Sequence, residues 1–370
     1  MTAQNRERNY GIDLLRIFAM YLVVVLHVLG GGRVLNGTDP NPATHEAAWL
    51  LESFAMVAVN CFALISGYVG LRAKHGITGL ALLYLQVWTY SAGIMLALRF
   101  LRPEWVDAEA VLHALLPVGY GEYWYFTAYI GLFFFMPLLN AAAEHLSRTQ
   151  FFVSASGMIL LYAVYRSAIM KDIFIAKNGY STIWLIILYY IGAGMAKHIR
   201  LTKKAVPIGL AVYAAASVLG WMATTDPDRF ARLRYDCTPT VIASLALFCA
   251  CAALPLRAKP LQKLIAFLSP LTFAVYLIHT HPLVYNYILT KRFEHWSLYS
   301  PKHMIINVIL TAAGIFLVCC AAEFVRAWIV KLLHVKQGLK KLEGMLQAQA
   351  AALAEKHAGK NAETEVTAEK

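Results

Sequence analysis

The chain has 370 residues, 59% of them apolar and only 15% charged, with a mean hydropathy of +0.55. A water-soluble domain holds about 45–50% apolar and about 25% charged residues, so this composition excludes an ordinary soluble enzyme and points to the bilayer as solvent. The formal net charge of +12 does not require nucleic acid as a partner, because basic loops facing the cytoplasm and anionic lipid account for it.

A hydrocarbon core of about 30 Å needs about 20 predominantly apolar residues at about 1.5 Å each. That ruler finds roughly ten spans, near 12–29, 48–70, 78–99, 123–143, 151–169, 181–197, 206–223, 238–256, 267–289 and 304–330. The first is expected to be a retained span and not a signal peptide. It follows a polar, basic start (Arg6, Arg8) with no small-residue cleavage site. Breakers and charges fill the connections: 30–42 is rich in Gly, Asn and Pro, and Arg102-Pro103-Glu104 and Asp226-Pro227-Asp228-Arg229 mark turns. Cys61, Cys249, Cys251, Cys319 and Cys320 lie in apolar stretches and only Cys237 sits near a loop, so no disulfide framework is expected. The Lys and Arg bias predicts both termini in the cytoplasm, as an even number of spans requires. The fold class read from this pattern is all-α, a polytopic membrane helix bundle. Residues 1–335 form the integral membrane domain, and 336–370 form a charged cytosolic tail, helical in part and fraying into disorder.

In the first span, Arg16 and His27 are 11 residues apart. At 100° per residue that is three turns plus roughly 20°, so they share one face about 16 Å apart along the axis. Asp13, three residues before Arg16, can pair with it on that face. Charges inside a membrane are expensive and usually face a bundle interior or a wet cavity. The alternatives are an interfacial Arg16 that snorkels and a His27 that makes a structural hydrogen bond. The functional reading of His27 is a general base, because histidine titrates near neutrality.

In the second span, Ser66 and Gly67 read as close packing or backbone contact with a ligand ahead of a nucleophile, since no base stands beside them in sequence. Asn60 is a mid-span hydrogen-bond donor between helices. Tyr123-Trp124-Tyr125-Phe126 has the composition of an interfacial aromatic belt. In the ninth span, Ser269, Thr272, Tyr276 and His279 recur at spacings of three, four and three and so share a face. That stripe reads as a cavity wall, with a core histidine as the alternative for His279. No metal is expected. There is no HExxH or paired CxxC, and His279 and His281 point apart on a helix. Neither a phosphate-binding glycine loop nor a GxSxG elbow is present. Glu323 and Arg326 form a structural i, i+3 pair.

Together these motifs resemble the acyltransferase-3 family of integral membrane acyltransferases. Asp13-x-x-Arg16 with His27 resembles its R-x(10)-H signature. Cys61-Phe62-Ala63-Leu64-Ile65-Ser66-Gly67-Tyr68 resembles its FxxISGY stretch. Tyr123-Trp124-Tyr125-Phe126-Thr127-Ala128-Tyr129 with Pro137 and Asn140 resembles its YWFxxxY…P…N block, and residues 271–279 resemble its SxGIYLIH block. Thr272-Phe273-Ala274 departs from the usual Ser-Phe/Leu-Gly. The fused hydrolase-like domain of some members is not seen, so a stand-alone member is expected.

The resemblance implies an O-acyltransferase of the bacterial inner membrane. It would move an acyl group, usually acetyl, from acetyl-CoA as donor substrate to a hydroxyl of a cell-surface glycan or lipid-linked sugar, with no bound cofactor. His27 would be the base and Arg16 would bind or orient the donor. Asp13, Asn60, Ser66, Gly67, Tyr68, Trp124, Tyr125, Tyr276 and His279 would form the substrate site. Direct transfer and an acyl-histidine intermediate are both open routes. The expected partners are membrane lipid and the glycan acceptor. A transporter or flippase of a lipid-linked glycan would use the same polar groups as a path, but no inverted repeat or matched pair of broken spans is visible. A sensor or scaffold acting through the tail is the third reading, and the tail carries no evident binding motif.

Overall fold

The computed structural model describes residues 8–37, 40–71, 73, 76–223, 233–339, 341–345 and 348–349. The turn at Asp226-Pro227-Asp228-Arg229 and the tail beyond residue 349 lie outside them. Helix is the only regular structure among the described residues.

The bundle is built from α1 (Tyr10–Leu29), α2 (Pro42–Ala55), α3 (Ala58–Gly70), α4 (Ile77–Leu101), α5 (Ala108–Leu115) and α6 (Trp124–His145). It continues with α7 (Arg148–Ile159), α8 (Arg166–Ile169), α9 (Thr182–His198), α10 (Ala205–Met222) and α11 (Thr238–Ala252), then α12 (Lys259–Leu268), α13 (Thr272–His279), α14 (Pro282–Val284) and α15 (Pro301–Leu332). A π-helical turn at Leu160–Tyr165 joins α7 to α8, and a 3-10 turn at Ser269–Leu271 joins α12 to α13. Local sequence fixes the starts. Asn9 accepts hydrogen bonds from the amides of Gly11 and Ile12, and Asn41 does the same for Ala43 and Thr44 ahead of Pro42.

Among the described residues, eight helical stretches are long and apolar enough, by length and composition, to cross a membrane: α1, α2 with α3, α4, α6, α7 with α8, α10, α12 with α13, and α15. These account for eight of the roughly ten expected spans. The other two predicted spans form helices of 17 residues (α9) and 15 residues (α11). Residues 253–258 leave the helix around Pro255, which shortens α11. The predicted span 267–289 is corrected. Its helix begins at Lys259 and stops at His279, and the chain then turns through α14 and a π-helical turn at Tyr285–Leu289.

Side chains such as Phe100, Phe134, Leu138, Leu310 and Val318 are exposed around the outside of the bundle. In water they would be a liability; against lipid tails they are the expected surface. Inside, helices approach through small residues. A Cβ on Gly67 would fall 1.9 Å from the Tyr189 carbonyl oxygen, and one on Gly192 would fall 2.2 Å from that of Leu64, so α3 and α9 touch backbone to backbone. In α15, Glu323 accepts both Arg326 Nε and Nη2 at 2.7 Å, the Tyr90 hydroxyl at 2.7 Å and Gln86 Nε2 at 3.0 Å, which ties α15 to α4.

Helix α1 is the axis and packs against α2, α3, α11, α12, α13 and α15. One end of the bundle gathers Arg16, Ser269 and the end of α11, where Asn9 Nδ2 donates to the Ala252 carbonyl at 2.9 Å. The other end gathers His27 and the loops beyond it; Lys291 N donates to the Gly31 carbonyl (2.9 Å) and Phe293 N to that of Gly32 (3.1 Å). At this second end the loop before α11 is tied down by Arg166. Its Nε lies 3.3 Å from Asp236 Oδ2, and its other nitrogens reach Cys237 Sγ and Asn178 Oδ1. Burial lifts the Asp236 carboxyl to about 6, with Arg166 pulling the other way.

Candidate active site

A cavity of about 240 Å3 runs along one face of α1. Arg16 lines it at one end and His27 at the other, with Met20 and Val23 between them. The 3.6-residue period places these four on one stripe. Opposite walls come from Ser66 and Phe62 of α3, Trp124, Tyr125 and Tyr129 of α6, and Thr272 and Tyr276 of α13. The lining between Arg16 and His27 is largely apolar and aromatic.

At the Arg16 end, Arg16 Nη1 donates to Asp13 Oδ1 at 2.9 Å and to Ser269 Oγ at 3.1 Å, and Ser269 Oγ donates to Asp13 Oδ1 at 3.0 Å. Asp13 Oδ2 also takes Arg8 Nε at 2.5 Å. One edge of the Arg16 guanidinium is thus fixed. A guanidinium has five N–H donors, so the rest of the fork remains for a ligand in the cavity.

At the other end, His27 Nδ1 lies 2.8 Å from His279 Nε2, and His279 Nδ1 in turn bonds the Val275 carbonyl. A carbonyl only accepts, so the proton sits on His279 Nδ1. In the neutral pair His279 Nε2 is then the acceptor and His27 Nδ1 the donor. The lone pair of His27 is left on Nε2. Tyr285 packs edge-on against the His27 ring, with centroids 5.6 Å apart. The Tyr125 amide in the first turn of α6 donates to the Tyr276 hydroxyl at 3.3 Å. Trp124 rests against Tyr180 with centroids 4.6 Å apart.

The predicted site residues divide into three groups. Arg16, His27, Ser66, Trp124, Tyr125 and Tyr276 line the cavity. Asp13 and His279 stand behind it, each bonded to a residue that does. Asn60, Gly67 and Tyr68 do not line it. Asn60 is fully buried and engaged between helices: it donates to the Tyr235 carbonyl and Ser244 Oγ and accepts from Trp184 Nε1. Gly67 faces α9, and Tyr68 packs on Phe248. Successive helical residues point about 100° apart, so Ser66 can face the cavity while its two followers cannot.

Tyr235 and Tyr285 carry no mark in the sequence, and Tyr129 stands in the family block without being assigned to the site. Tyr129 had a usable signal, being one turn beyond Tyr125 on the same face. Tyr235 and Tyr285 are placed by loops and a π-helical turn, which carry no periodic mark. Among the described residues, no group of three His, Cys, Asp or Glu side chains could hold a metal ion.

A family model described as Acyltransferase domain matches residues 9–324. No curated protein and no solved structure matches the chain.

Proposed function

The chain belongs to the acyltransferase-3 family, and on that premise we propose that it transfers an acetyl group from acetyl-CoA to a hydroxyl of a cell-surface glycan or lipid-linked sugar. The reading is carried by one observation: a single cavity with an anchored Arg16 at one end and a histidine whose free lone pair is fixed on Nε2 at the other. With both termini in the cytoplasm of a bacterial inner membrane, the Arg16 end faces the cytosolic donor and the His27 end the acceptor. The cavity is smaller than the roughly 300–1,000 Å3 of a site that encloses a whole drug-sized ligand. The donor therefore enters by its acyl end, and the nucleotide stays at the mouth.

Arg16 binds an anionic or carbonyl oxygen of the donor arm with its unused N–H groups. His27 Nε2 accepts the proton of the acceptor hydroxyl as that oxygen attacks the thioester carbonyl. The tetrahedral intermediate collapses, the C–S bond breaks, and the sulfur leaves with the proton returned by His27. The products are an ester and free CoA. Asp13 and Ser269 hold Arg16; Val275 and His279 hold the tautomer of His27. An acyl-histidine route differs in kinetics, giving ping-pong patterns where direct transfer gives a ternary complex.

The test is labelling of glycan in vesicles by purified protein and radioactive acetyl-CoA. His27→Ala is expected to insert normally and lose about 10²–10⁴-fold in transfer rate. Wild-type labelling by that variant overturns the assignment. A transporter would move the sugar and leave its mass unchanged.

A further inference from the structure

A second cavity, of about 190 Å3, lies beside the first at its His27 end. It is walled by the 3-10 turn at Pro103–Trp105, by α5, by Glu122 ahead of α6 and by the segment from His281 to Tyr287. Sequence position ties the two cavities together. Glu122 lines the second, while Trp124 and Tyr125 line the first. His281 lines the second, while His279 bonds His27. Two residues of chain span at most about 7 Å, so each of these short segments reaches from one cavity to the other. The π-helical turn makes the same link with consecutive residues: Tyr285 packs on the His27 ring, and Asn286 and Tyr287 line the second cavity. Such turns are rare and concentrate at functional sites.

The lining of this cavity is acidic where that of the first is aromatic. Asp107, Glu109 and Glu122 bring three carboxyls to it, and no Lys or Arg lines it among the described residues. Both nitrogens of His281 are spent, one on the Ser91 carbonyl at 3.0 Å and one on the Leu283 amide at 3.2 Å. His113 Nδ1 holds Glu122 Oε1 at 2.5 Å, and Asp107 Oδ1 caps α5 by accepting from the Ala110 amide at 2.7 Å. Each of these two acids is thus fixed through one oxygen and keeps the other for the cavity. The exposed Asn286 amide adds two donors and an acceptor. Trp105 lies flat on Tyr287, with centroids 4.8 Å and planes 3° apart, and makes a firm apolar edge. Three carboxyls repel a phosphate or an acidic sugar, and the described acids do not gather into a metal site. A small ring of hydroxyls fits: it donates to carboxylates, exchanges hydrogen bonds with an amide and rests its C–H edge on an aromatic. The volume, below the roughly 300–1,000 Å3 of a drug-sized site, suits one ring.

We propose that the second cavity holds a neutral sugar ring next to the one that is acylated, so that the acceptor is a glycan of at least two rings. Asp107 and Glu122 accept hydrogen bonds from hydroxyls of the held ring, and Asn286 fixes its orientation. The glycosidic linkage then leads past Tyr285 to His27 Nε2, where a hydroxyl of the neighbouring ring is acylated. The placement beside the reaction rests on the acyl-transfer reading; the binding of a sugar ring does not.

Binding is read first, without turnover, by saturation-transfer NMR on the full chain in nanodiscs with maltose, cellobiose, lactose and N,N′-diacetylchitobiose. At least one should show transfer. Asn286→Ala and Glu122→Gln should each cut that signal at least about fivefold, while His27→Ala leaves it within about twofold. Asn286 is exposed, so its variant keeps the measurement free of folding losses. No transfer to any of the four sugars overturns the site, as does an unchanged signal in both variants. Transfer to spermidine that exceeds transfer to every sugar overturns it too, because the acids would then be serving a cation. Turnover is read second, with radioactive acetyl-CoA and the octyl glycosides of the best-bound disaccharide and of one of its rings. Glu122→Gln should raise half-saturation for the two-ring acceptor at least about fivefold and leave the one-ring acceptor within about twofold. An equal rise for both overturns the placement beside the acylated ring. If the wild type labels neither while the NMR signal stands, the acyl-transfer reading fails and the placement with it, and the sugar site is retained.

Discussion

Two arginine–carboxylate pairs sit in the membrane-spanning helices at the same i, i+3 spacing, and they are built differently. Glu323 and Arg326 form a two-pronged pair, and the remaining capacity of the carboxylate is taken up by Tyr90 and Gln86. Asp13 holds Arg16 through a single nitrogen shared with Ser269. The first knot faces α4 and is closed. The second borders a cavity and leaves donors free. Spacing and charge are equal in the two cases and the acids differ by one methylene, so much of the difference in role comes from what the neighbouring helices supply. A saturated pair inside a bilayer joins helices; an unsaturated one is poised for a ligand.

The contrast can be broken at either pair. The largest effect is expected from Glu323→Ala, which strands Arg326 and removes the partner of Tyr90 and Gln86. Breaking a buried pair in this way costs about 3–5 kcal/mol, to be read as reduced unfolding stability in detergent. The folded fraction should keep wild-type half-saturation for acetyl-CoA. Arg16→Ala should show the reverse. Asp13 retains Arg8 and Ser269, so stability changes by less than about 1 kcal/mol, while transfer falls roughly 10²-fold, as for loss of a charge-assisted contact to the reacting ligand. Arg16→Lys should recover little of it, since an ammonium lacks the planar fork. If Arg16→Ala unfolds the protein and Glu323→Ala abolishes turnover of the folded fraction, the contrast has been drawn the wrong way round.

A smaller effect is expected at His279. His279→Leu removes the acceptor for His27 Nδ1–H and should slow transfer on the order of ten- to a hundredfold, in line with losses at residues that orient a site through another side chain. His279→Gln offers a side-chain oxygen in its place and should restore part of the rate. Equal rates for the Leu and Gln variants would remove His279 from the positioning role. The smallest effect is at the loop before α11. The Asp236 carboxyl has its folded value raised to about 6. Its contribution to holding the loop is therefore complete below the ordinary carboxylate range near pH 4 and is lost as pH rises through about 6. Hydrogen exchange of residues 233–237, corrected for intrinsic rates, should speed up across that window. Asp236→Asn should flatten the dependence.

Much of this was legible in the sequence where a helix carried the information. The 11-residue spacing put Arg16 and His27 on one face, and the 3-4-3 stripe put Ser269, Thr272, Tyr276 and His279 on another. The structure sets those two faces against each other, with Ser269 meeting Arg16 and His279 meeting His27. Motif adjacency was a poorer guide. Gly67 and Tyr68 neighbour Ser66 in the chain and turn away from it in space, and Asn60 spends its amide on Tyr235, Ser244 and Trp184. Hydropathy placed α9 and α11 but not their ends, because it reports an apolar run and not where its helix stops.

The polar contacts of α1 also set an order of assembly. Arg16 meets Ser269 and His27 meets His279 across 253 and 252 residues of chain. The helix made first must therefore stay in the membrane with its polar face unmatched until nearly the whole domain has been synthesised. Premature termination anywhere before residue 269 leaves Asp13 and Arg16 without Ser269 and His27 without its hydrogen-bond partner. Such a fragment would hold polar groups in the bilayer without their partners, and the two ends of the cavity are completed only by the late helix that carries Ser269 and His279.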